Sequence, residues 1–423
     1  MVHQHDVETD AGASLRVATP HDPELRLLVP PDDVTDPEVS IVIPALNEER
    51  TVADFVDWCR QGLAAAGVRG EVLIVDSSSD RTAEIALAHG ARVLRVPRRG
   101  LGRAYIDAVS FIRGRYVLMG DADCTYDFRE LAPFVDRLRQ GYEFVMGSRW
   151  RGSIEPGSMP ALHRYLGTPV TTWILNVVYS SHFTDIHCGM RGMTRDALVA
   201  MRLQSQSWEY ASEMVLKSVH MRLRTAEVPV RFLKDRDGRL SHHRRAGWFS
   251  PFHAAWINLR ATFVYGVEFF TFRPGLVVLA LGLLLTLPLA LGPMTIGPVH
   301  FSLYWMLLGL TLTVLGLQSF YVGCLAKVLH DYTGDARRVW LGAFPYTRSV
   351  LVSAAAFAVG LVLAGALLVD YLRSGLRLSA ADRVPYLGVL GLALLIGGFL
   401  TFTFILLLHA LAQRDAGPNG HGQ

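Results

Sequence analysis

Arg115-Tyr-Val-Leu-Met-Gly-Asp-Ala-Asp-Cys124 is an apolar strand that ends in two carboxylates one residue apart, Asp121 and Asp123. A short continuous apolar run of this kind fits a strand buried on both faces, as in parallel sheets covered by helices. The run has company. Val39-Ser-Ile-Val-Ile43, Glu71-Val-Leu-Ile-Val75, Ala91-Arg-Val-Leu-Arg-Val96 and Glu143-Phe-Val-Met146 repeat it, and helical spacing fills residues 51–66, 82–89, 102–112 and 131–140. Strands alternating with helices at this interval predict parallel βαβ units and an α/β domain. Open sheets of this type bind ligands beyond the carboxyl ends of their strands, which is where Asn47, Asp76, Asp121 and Asp123 fall.

Two carboxylates at a strand exit can share a hard divalent cation and hold a diphosphate against it. Mg2+ and Mn2+ prefer oxygen ligands and commonly bind through one or two carboxylates plus substrate phosphates. A water-facing acidic turn is the commoner origin of a bare Asp-x-Asp, so its surroundings must decide: an α/β pattern before it, basic residues after it and membrane segments at the end. The 423 residues are 51% hydrophobic and 19% charged, and the apolar excess falls almost wholly after Pro274. A formal charge of +3 predicts no polyanionic partner such as a nucleic acid. Cys59, Cys124, Cys188 and Cys324 show no C-x-x-C spacing, which fits reduced thiols in a cytosolic compartment rather than a zinc site or disulfide framework.

Residues 1–38 are polar, rich in Asp, Glu and Pro, and lack an apolar signal core, so they read as a flexible tail. The α/β domain is expected over 39–235, a basic loop and juxtamembrane amphipathic helix over 236–273, four transmembrane helices over 274–412 and a short tail over 413–423. The apolar stretches run roughly over 276–291, 303–326, 350–369 and 386–411. A span needs about 20 apolar residues, so the first is marginal, and Pro288 and Pro293 leave a broken or re-entrant helix as its alternative. Lys327, Arg337, Arg338 and Arg348 place the loop between the second and third stretches in the cytoplasm by the positive-inside rule, with the α/β domain expected on the same side of the inner membrane. Arg373, Arg377 and Arg383 run against this, partly offset by Asp370 and Asp382.

Pro44-Ala-Leu-Asn-Glu-Glu49, Val75-Asp-Ser-Ser-Ser-Asp80, Gly120-Asp-Ala-Asp123 and Gly147-Ser-Arg149, in this order, resemble the family 2 glycosyltransferases of the GT-A fold. Tyr126-Asp-Phe128, Pro156-Gly-Ser-Met-Pro160, His163-Arg-Tyr-Leu-Gly167, Asp185-Ile-His-Cys-Gly-Met-Arg191 and Trp208-Glu-Tyr-Ala-Ser-Glu-Met214 are similar to the polyprenyl-phosphate glycosyltransferases, which include dolichol-phosphate mannose and glucose synthases. These motifs cover about residues 39–260; the membrane region is similar in architecture only. The resemblance implies that Pro44, Ala45 and Glu48, with Asn47 beside them, line a nucleotide pocket and that Asp76 meets the base or ribose. Helix capping is the local alternative for Asn47, Glu48 and Glu49. Relatives often carry Asp-Asp-Gly-Ser where this chain has Asp76-Ser77-Ser78, which leaves the nucleotide open.

Arg99 and Gly100, in Arg98-Arg-Gly-Leu-Gly-Arg103, read equally as a diphosphate contact or a solvated basic turn. By the same resemblance Asp121, Ala122 and Asp123 hold the donor and Mg2+ or Mn2+, with Asp123 the direct metal ligand. Arg149 and Arg164 match positions that grip a lipid phosphate, which an arginine fork can meet with two bonds. Surface ion pairing is their alternative. Glu213 matches a carboxylate that serves as base in many relatives. A polyprenyl phosphate is already anionic, so here a positioning or structural role is expected, with Asp185 and Arg191 shaping one loop.

The implied reaction moves a hexose, from UDP-glucose in preference to GDP-mannose, to polyprenyl phosphate with inversion. Its partners are the nucleotide sugar, the polyprenyl phosphate and membrane lipids, with a homo-oligomer left open. A processive polysaccharide synthase would be expected to carry Gln-x-x-Arg-Trp, which this chain lacks; a membrane scaffold or lipid-flipping partner is the non-catalytic alternative. Two stretches, 161–181 and 251–270, have the aromatic and apolar texture of membrane-surface helices, with core packing as the alternative. Arg236, Arg239, His242, His243, Arg244 and Arg245 precede the second and suit a diphosphate or anionic lipid.

Overall fold

A computed structural model describes residues 7–8, 14–17, 22–161, 163–179, 181–235, 260, 263–264, 266–329, 331, 334–376 and 383–414. The basic cluster from Arg236 to Arg245, His253, Trp256 and Tyr265 lie outside the described residues, as does the tail after residue 414. Two compact units result, Met1–Thr262 and Phe263–Gln423.

The first unit holds strands β1 (Val7–Glu8), β2 (Ser14–Val17), β3 (Arg26–Val29), β4 (Val39–Ala45), β5 (Gly70–Asp76), β6 (Arg92–Arg95), β7 (Tyr116–Met119), β8 (Phe144–Ile154), β9 (Arg191–Thr194) and β10 (Thr225–Phe232). Its helices are α1 (Val52–Ala65), α2 (Thr82–Ala88), α3 (Leu101–Ala108), α4 (Ala132–Arg139), α5 (Thr168–Tyr179), α6 (Arg195–Met201) and α7 (Glu209–His220). One mixed sheet runs in the order β1-β2-β3-β6-β5-β4-β7-β9-β8-β10. β6, β5, β4 and β7 are parallel neighbours, as the alternating pattern predicts. Ile41, Val42, Ile43, Leu73, Ile74, Val75, Val117 and Leu118 are completely buried, which is why these strands read as unbroken apolar runs. β9 enters antiparallel between β7 and β8, and β10 pairs parallel with β8.

The expectation of a flexible tail through residue 38 is corrected by β3, which pairs antiparallel with β6. Leu25 and Leu27 are buried, and the acids around them are ion-paired to the domain. Asp22 meets Arg99, Asp32 meets Arg60, Asp33 meets Arg113 and Asp36 meets Arg69. Beneath this strap the buried Glu71 accepts from Ser40 at 2.5 Å, from Arg92 at 2.7 Å and from Arg113 at 2.7 Å.

The second unit contains four helices long and apolar enough to cross a membrane: Val267–Leu289, Leu303–Leu329, Tyr346–Arg373 and Val384–Gln413. The first is a continuous helix with Pro274 and Pro288 inside it, and it begins ahead of the expected apolar stretch. A hairpin, Met294–Ile296 with Val299–Phe301, joins it to the second. A short helix, Asp335–Ala343, precedes the third. Tyr321, Cys324, Phe404, Ile405 and Leu408 form a core between the second and fourth helices.

Replacing Glu71 by Ala removes the carboxylate on which two arginines converge beneath the strap. Breaking a buried ion pair in this way is expected to cost about 3–5 kcal/mol, read as a lowered denaturation midpoint of the full chain. An unchanged midpoint would show that the strap is not held by this network.

Candidate active site

The chain leaves β4 for β5 and β6 on one side, then returns to β7 on the other, so crossovers part between β4 and β7. Such a switch point opens a crevice at the strand carboxyl ends. Ala45 ends β4, Asp76 ends β5, and Asp121 follows β7 by two residues. Neighbouring strands lie about 4.8 Å apart, so these three ends span about 10 Å.

On the β4–β5 side two loops are stitched together. Asn47 adopts φ 58°, a left-handed conformation that asparagine tolerates better than most residues. Its backbone N–H donates to Ser78 Oγ at 2.7 Å, and its Oδ1 accepts from Ser79 N at 3.0 Å. Glu48 N donates to Thr82 Oγ1 at 2.9 Å, while its buried carboxylate accepts from Thr51 Oγ1 at 3.0 Å. Ser78, one of the two serines that depart from the family pattern, therefore serves as a fastener. Pro44 stays partly exposed at the end of β4, and Ala45 is buried. Asp76 has no exposed surface; its Oδ1 accepts from Ser78 N at 3.2 Å and its Oδ2 is ion-paired with Arg95. Burial pushes this carboxyl up, only partly countered by Ser78 and Arg95. Arg95, a residue the sequence reading missed, remains 40% exposed at this edge.

Around Asp121 the backbone itself makes room. A Cβ on Gly189 would lie 2.5 Å from Asp121 Oδ2 and 2.9 Å from the Tyr126 ring, so a side chain there would push the Asp121 carboxylate aside. Gly189 N donates to Tyr126 Oη at 2.8 Å, and Tyr105 Oη donates to Gly120 O at 3.0 Å. Burial keeps both tyrosines neutral. Asp123 is oriented by Thr125, whose N–H and hydroxyl donate to its Oδ1 at 3.0 and 2.6 Å. Ala122 between the two aspartates is buried. Cys124 takes φ 59° to turn the chain back.

Arg149 is buried and grips Asp185 with both arms of its fork, at 2.7 and 2.8 Å, and with its backbone N–H at 3.1 Å. Its guanidinium stands 5.3 Å from the Phe232 ring, which packs on Tyr126 at 5.1 Å. Direct contacts thus join Asp121, Gly189, Tyr126, Phe232, Arg149 and Asp185. Arg191 fixes the same loop by donating to Cys188 O at 2.7 Å and to Ala211 O at 2.9 Å. Burial, with Asp185 beside it, pushes the Cys188 thiol up to about 12, so it packs as a neutral group. Arg164 belongs to none of these contacts; it sits partly exposed on a π-helical turn, His163–Gly167, 5.6 Å from the Tyr165 ring.

Glu213 is sealed. Its carboxylate accepts from Gln204 N and Ser205 N at 3.0 and 2.8 Å and pairs with Lys217 at 2.7 Å, with no surface exposed. The loop it holds presses on the glycine turn: a Cβ on Gly100 would lie 2.3 Å from Gln206 O. Arg99 beside it is ion-paired with Asp22 and Glu24 of the strap, a partnership neither sequence reading foresaw.

Sequence reasoning also missed Gly189, Thr125 and the Tyr126 hydroxyl. Thr125 was within reach, since a side chain two residues after Asp is a common Asx-turn partner. Among the described residues no three His, Cys, Asp or Glu side chains gather around one point. Two carboxylates and a glycine cradle suit a hard cation that takes its remaining oxygens from a diphosphate. Gly189→Ala should displace Asp121 and lower turnover at least about 10-fold, the scale expected when a group beside a reacting or metal-holding one is disturbed. A full-rate Gly189→Ala enzyme would show that Asp121 need not occupy this position.

A family model described as glycosyl transferase family 2 matches residues 40–201, and one described as the family 2 C-terminal transmembrane region matches residues 330–412. The low-salt glycan biosynthesis hexosyltransferase Agl6 of Haloferax volcanii is 34% identical over 386 residues, covering 89% of this chain and 91% of its own. A dolichyl-phosphate hexose transferase of the same organism is 29% identical over 201 residues, covering 47% of this chain and 84% of its own. Glucosyl-3-phosphoglycerate synthase of Mycobacterium tuberculosis, solved with Mn2+, UDP and glucosyl-3-phosphoglycerate, overlaps 52% of this chain and 80% of its own, with 20% identity and a TM-score of 0.38. The chain belongs to the family 2 glycosyltransferases, as a hexosyltransferase whose GT-A-type α/β domain is followed by four helices able to cross a membrane.

Proposed function

We propose that this enzyme moves a hexose from a nucleoside diphosphate sugar to polyprenyl phosphate, with inversion at the anomeric carbon, giving a polyprenyl-phosphate sugar. The observation that carries the reading is the Asp121 carboxylate held over Gly189 at the switch point, with Asp123 fixed by Thr125. The relative named as a dolichyl-phosphate hexose transferase supports the acceptor. UDP-glucose is the favoured donor and GDP-mannose the next, on the resemblance of Thr125-Tyr-Asp127 and Pro156-Gly-Ser-Met-Pro160 to glucose-type members.

Asp121 and Asp123 would hold Mg2+ or Mn2+, which when bound offsets charge on the departing diphosphate. An acceptor phosphate oxygen bonds to the anomeric carbon as the carbon–oxygen bond to the diphosphate breaks, and the electron pair leaves with the nucleoside diphosphate. That nucleophile is ionised at neutral pH, so no base is required. A sealed Glu213 agrees with this: it positions a loop. Arg164, partly exposed, is assigned to the acceptor phosphate, while the buried Arg149 supplies fixed positive potential where two anionic substrates meet. Asp76 fixes Arg95 at the nucleotide side. Lys327, Arg337, Arg338 and Arg348 favour a cytoplasmic catalytic domain.

The test uses the full chain in lipid with Mg2+ or Mn2+, a polyprenyl phosphate and a panel of radiolabelled sugar nucleotides. Labelled lipid should form from one donor, and EDTA should abolish it. Asp123→Asn should lower the rate about 100-fold, the scale of losing one charge-stabilising group. An undiminished rate in that variant would sink the metal assignment, and donor binding without lipid product would sink the acceptor.

A further inference from the structure

The connection between the first two membrane helices is a ribbon with two unlike faces. Residues 290–302 carry no Lys, Arg, Asp or Glu. Met294 pairs with Phe301, Thr295 with His300 and Ile296 with Val299, and Gly297 (φ 57°) followed by Pro298 closes the turn in the type II′ order. Paired residues share a face and neighbours along a strand alternate. Met294, Ile296, Val299 and Phe301 therefore lie on one side, and Thr295 and His300 on the other. The polar side is closed on itself, with Thr295 Oγ1 3.0 Å from His300 Nδ1. At one end the apolar side is covered: Phe301 packs on the buried cluster of Leu289, Met306 and Tyr386, and its ring lies 5.2 Å from that of Trp305. Toward the tip Val299 and Ile296 are 40% and 59% exposed. A two-stranded ribbon has little stability of its own in water, so an apolar face left open needs a partner.

We propose that this hairpin lies flat in the boundary layer of a bilayer, with its apolar face turned to the acyl chains at the end of the bundle away from Lys327. Three observations choose lipid as the occupant. Both ends of the hairpin run into helices long and apolar enough to cross a membrane, Val267–Leu289 and Leu303–Leu329. Lys327 and Glu268 pair at the opposite end of those two helices, which marks one edge of the hydrocarbon. About 20 residues, or about 30 Å, back along the second helix from Lys327 reach Leu307 at the other edge. Tyr304, 80% exposed, and Trp305 come in the next turn, and they are the aromatic types that settle at the lipid–water boundary.

The ribbon thus starts at the boundary, and its tilt decides what the tip meets. Standing along the membrane normal, its three-residue strands would carry Ile296 and Val299 about 10 Å out into water. Lying flat, it keeps those side chains at the acyl level and Thr295 and His300 on the water side. Its open backbone edges then stay in the headgroup layer, where N–H and C=O groups find partners that hydrocarbon would not supply. The contact of Phe301 with Trp305 ties the ribbon to the aromatic pair at that level. Donor and acceptor identity play no part in this placement, which stands or falls separately from them.

All four native cysteines are buried, which permits a single reporter. Ile296→Cys and, as a second position on the same face, Val299→Cys are labelled with a bimane in the full chain. Thr295→Cys, on the opposite face of the same strand, serves as the reference. The proteins are placed in phosphatidylcholine–phosphatidylglycerol nanodiscs, whose two faces are both open to iodide, with lipids doxyl-labelled high on the acyl chain. Doxyl quenching at 296 and 299 should exceed that at 295 by at least about two-fold, with iodide showing the reverse, as for side chains buried to the acyl boundary. Equal doxyl quenching on the two faces would overturn the proposal, since an upright ribbon exposes both to water. So would protection of 296 and 299 from both quenchers, which would place protein over them.

Discussion

The bidentate pair between Arg149 and Asp185 holds the reaction centre together. Two buried charges are costly to desolvate, and such a pair persists only when geometry and further bonds are good. Here the fork is complete, and Asp185 also accepts from the backbone N–H groups of Arg149 and His187. The consequence is topological. Arg149 lies within β8, whereas Asp185 opens the loop that returns to β9. The rest of that loop makes its own contacts: His187 toward α5, Arg191 with Cys188 and α7, and Gly189 under Asp121. A cation expected to grip a lipid phosphate, or to pair at the surface, is instead buried against Asp185.

Other buried acids follow the same rule at a distance from the centre. Glu71 faces Arg92 and Arg113, Asp127 faces Arg129, and Glu213 faces Lys217. Each fastens one chain segment: the strap, the 3-10 turn after the Asp-x-Asp, and the loop behind the glycine turn. Asp121 and Asp123 are held differently, by a glycine cradle and by a threonine turn, and both stay partly exposed. Carboxylates of this second kind are open to solvent, whereas Glu213 has no exposed surface.

What the sequence disclosed follows from how burial writes itself into residue choice. β4, β5 and β7 are covered on both faces, so their apolar runs mark them, and the acids at their ends mark the crevice. β9 could not be read, because Arg191-Gly-Met-Thr194 is too short and too polar for a run, and its place is set by antiparallel pairing with β7 and β8, strands distant in sequence. β3 was hidden by acids that look like a solvated tail until their arginine partners, tens of residues away, are known. The first membrane helix was cut short because Glu268, Arg273 and Pro274 break its apolar start; Lys327 of the second helix pairs with Glu268 at 3.2 Å and offsets that charge. Roles such as those of Arg149 and Glu213 depend on which side chain fills a fork or carboxylate, and spacing carries no record of that.

Packing in the second unit explains why so much apolar surface stays outside. Helices in lipid gain nothing from hiding leucine from one another, so close van der Waals approach must hold them. Gly316 and Gly323 of the second helix, seven residues apart, sit against Leu279 and Phe272 of the first, also seven apart; a Cβ at Gly316 would come within 2.2 Å of the Leu279 backbone. The first helix packs on the second, the second on the fourth and the fourth on the third. The third therefore has one principal neighbour and turns Val352, Val359 and Val362 outward, with only 11% of its apolar window buried. In hydrocarbon that exposure costs nothing.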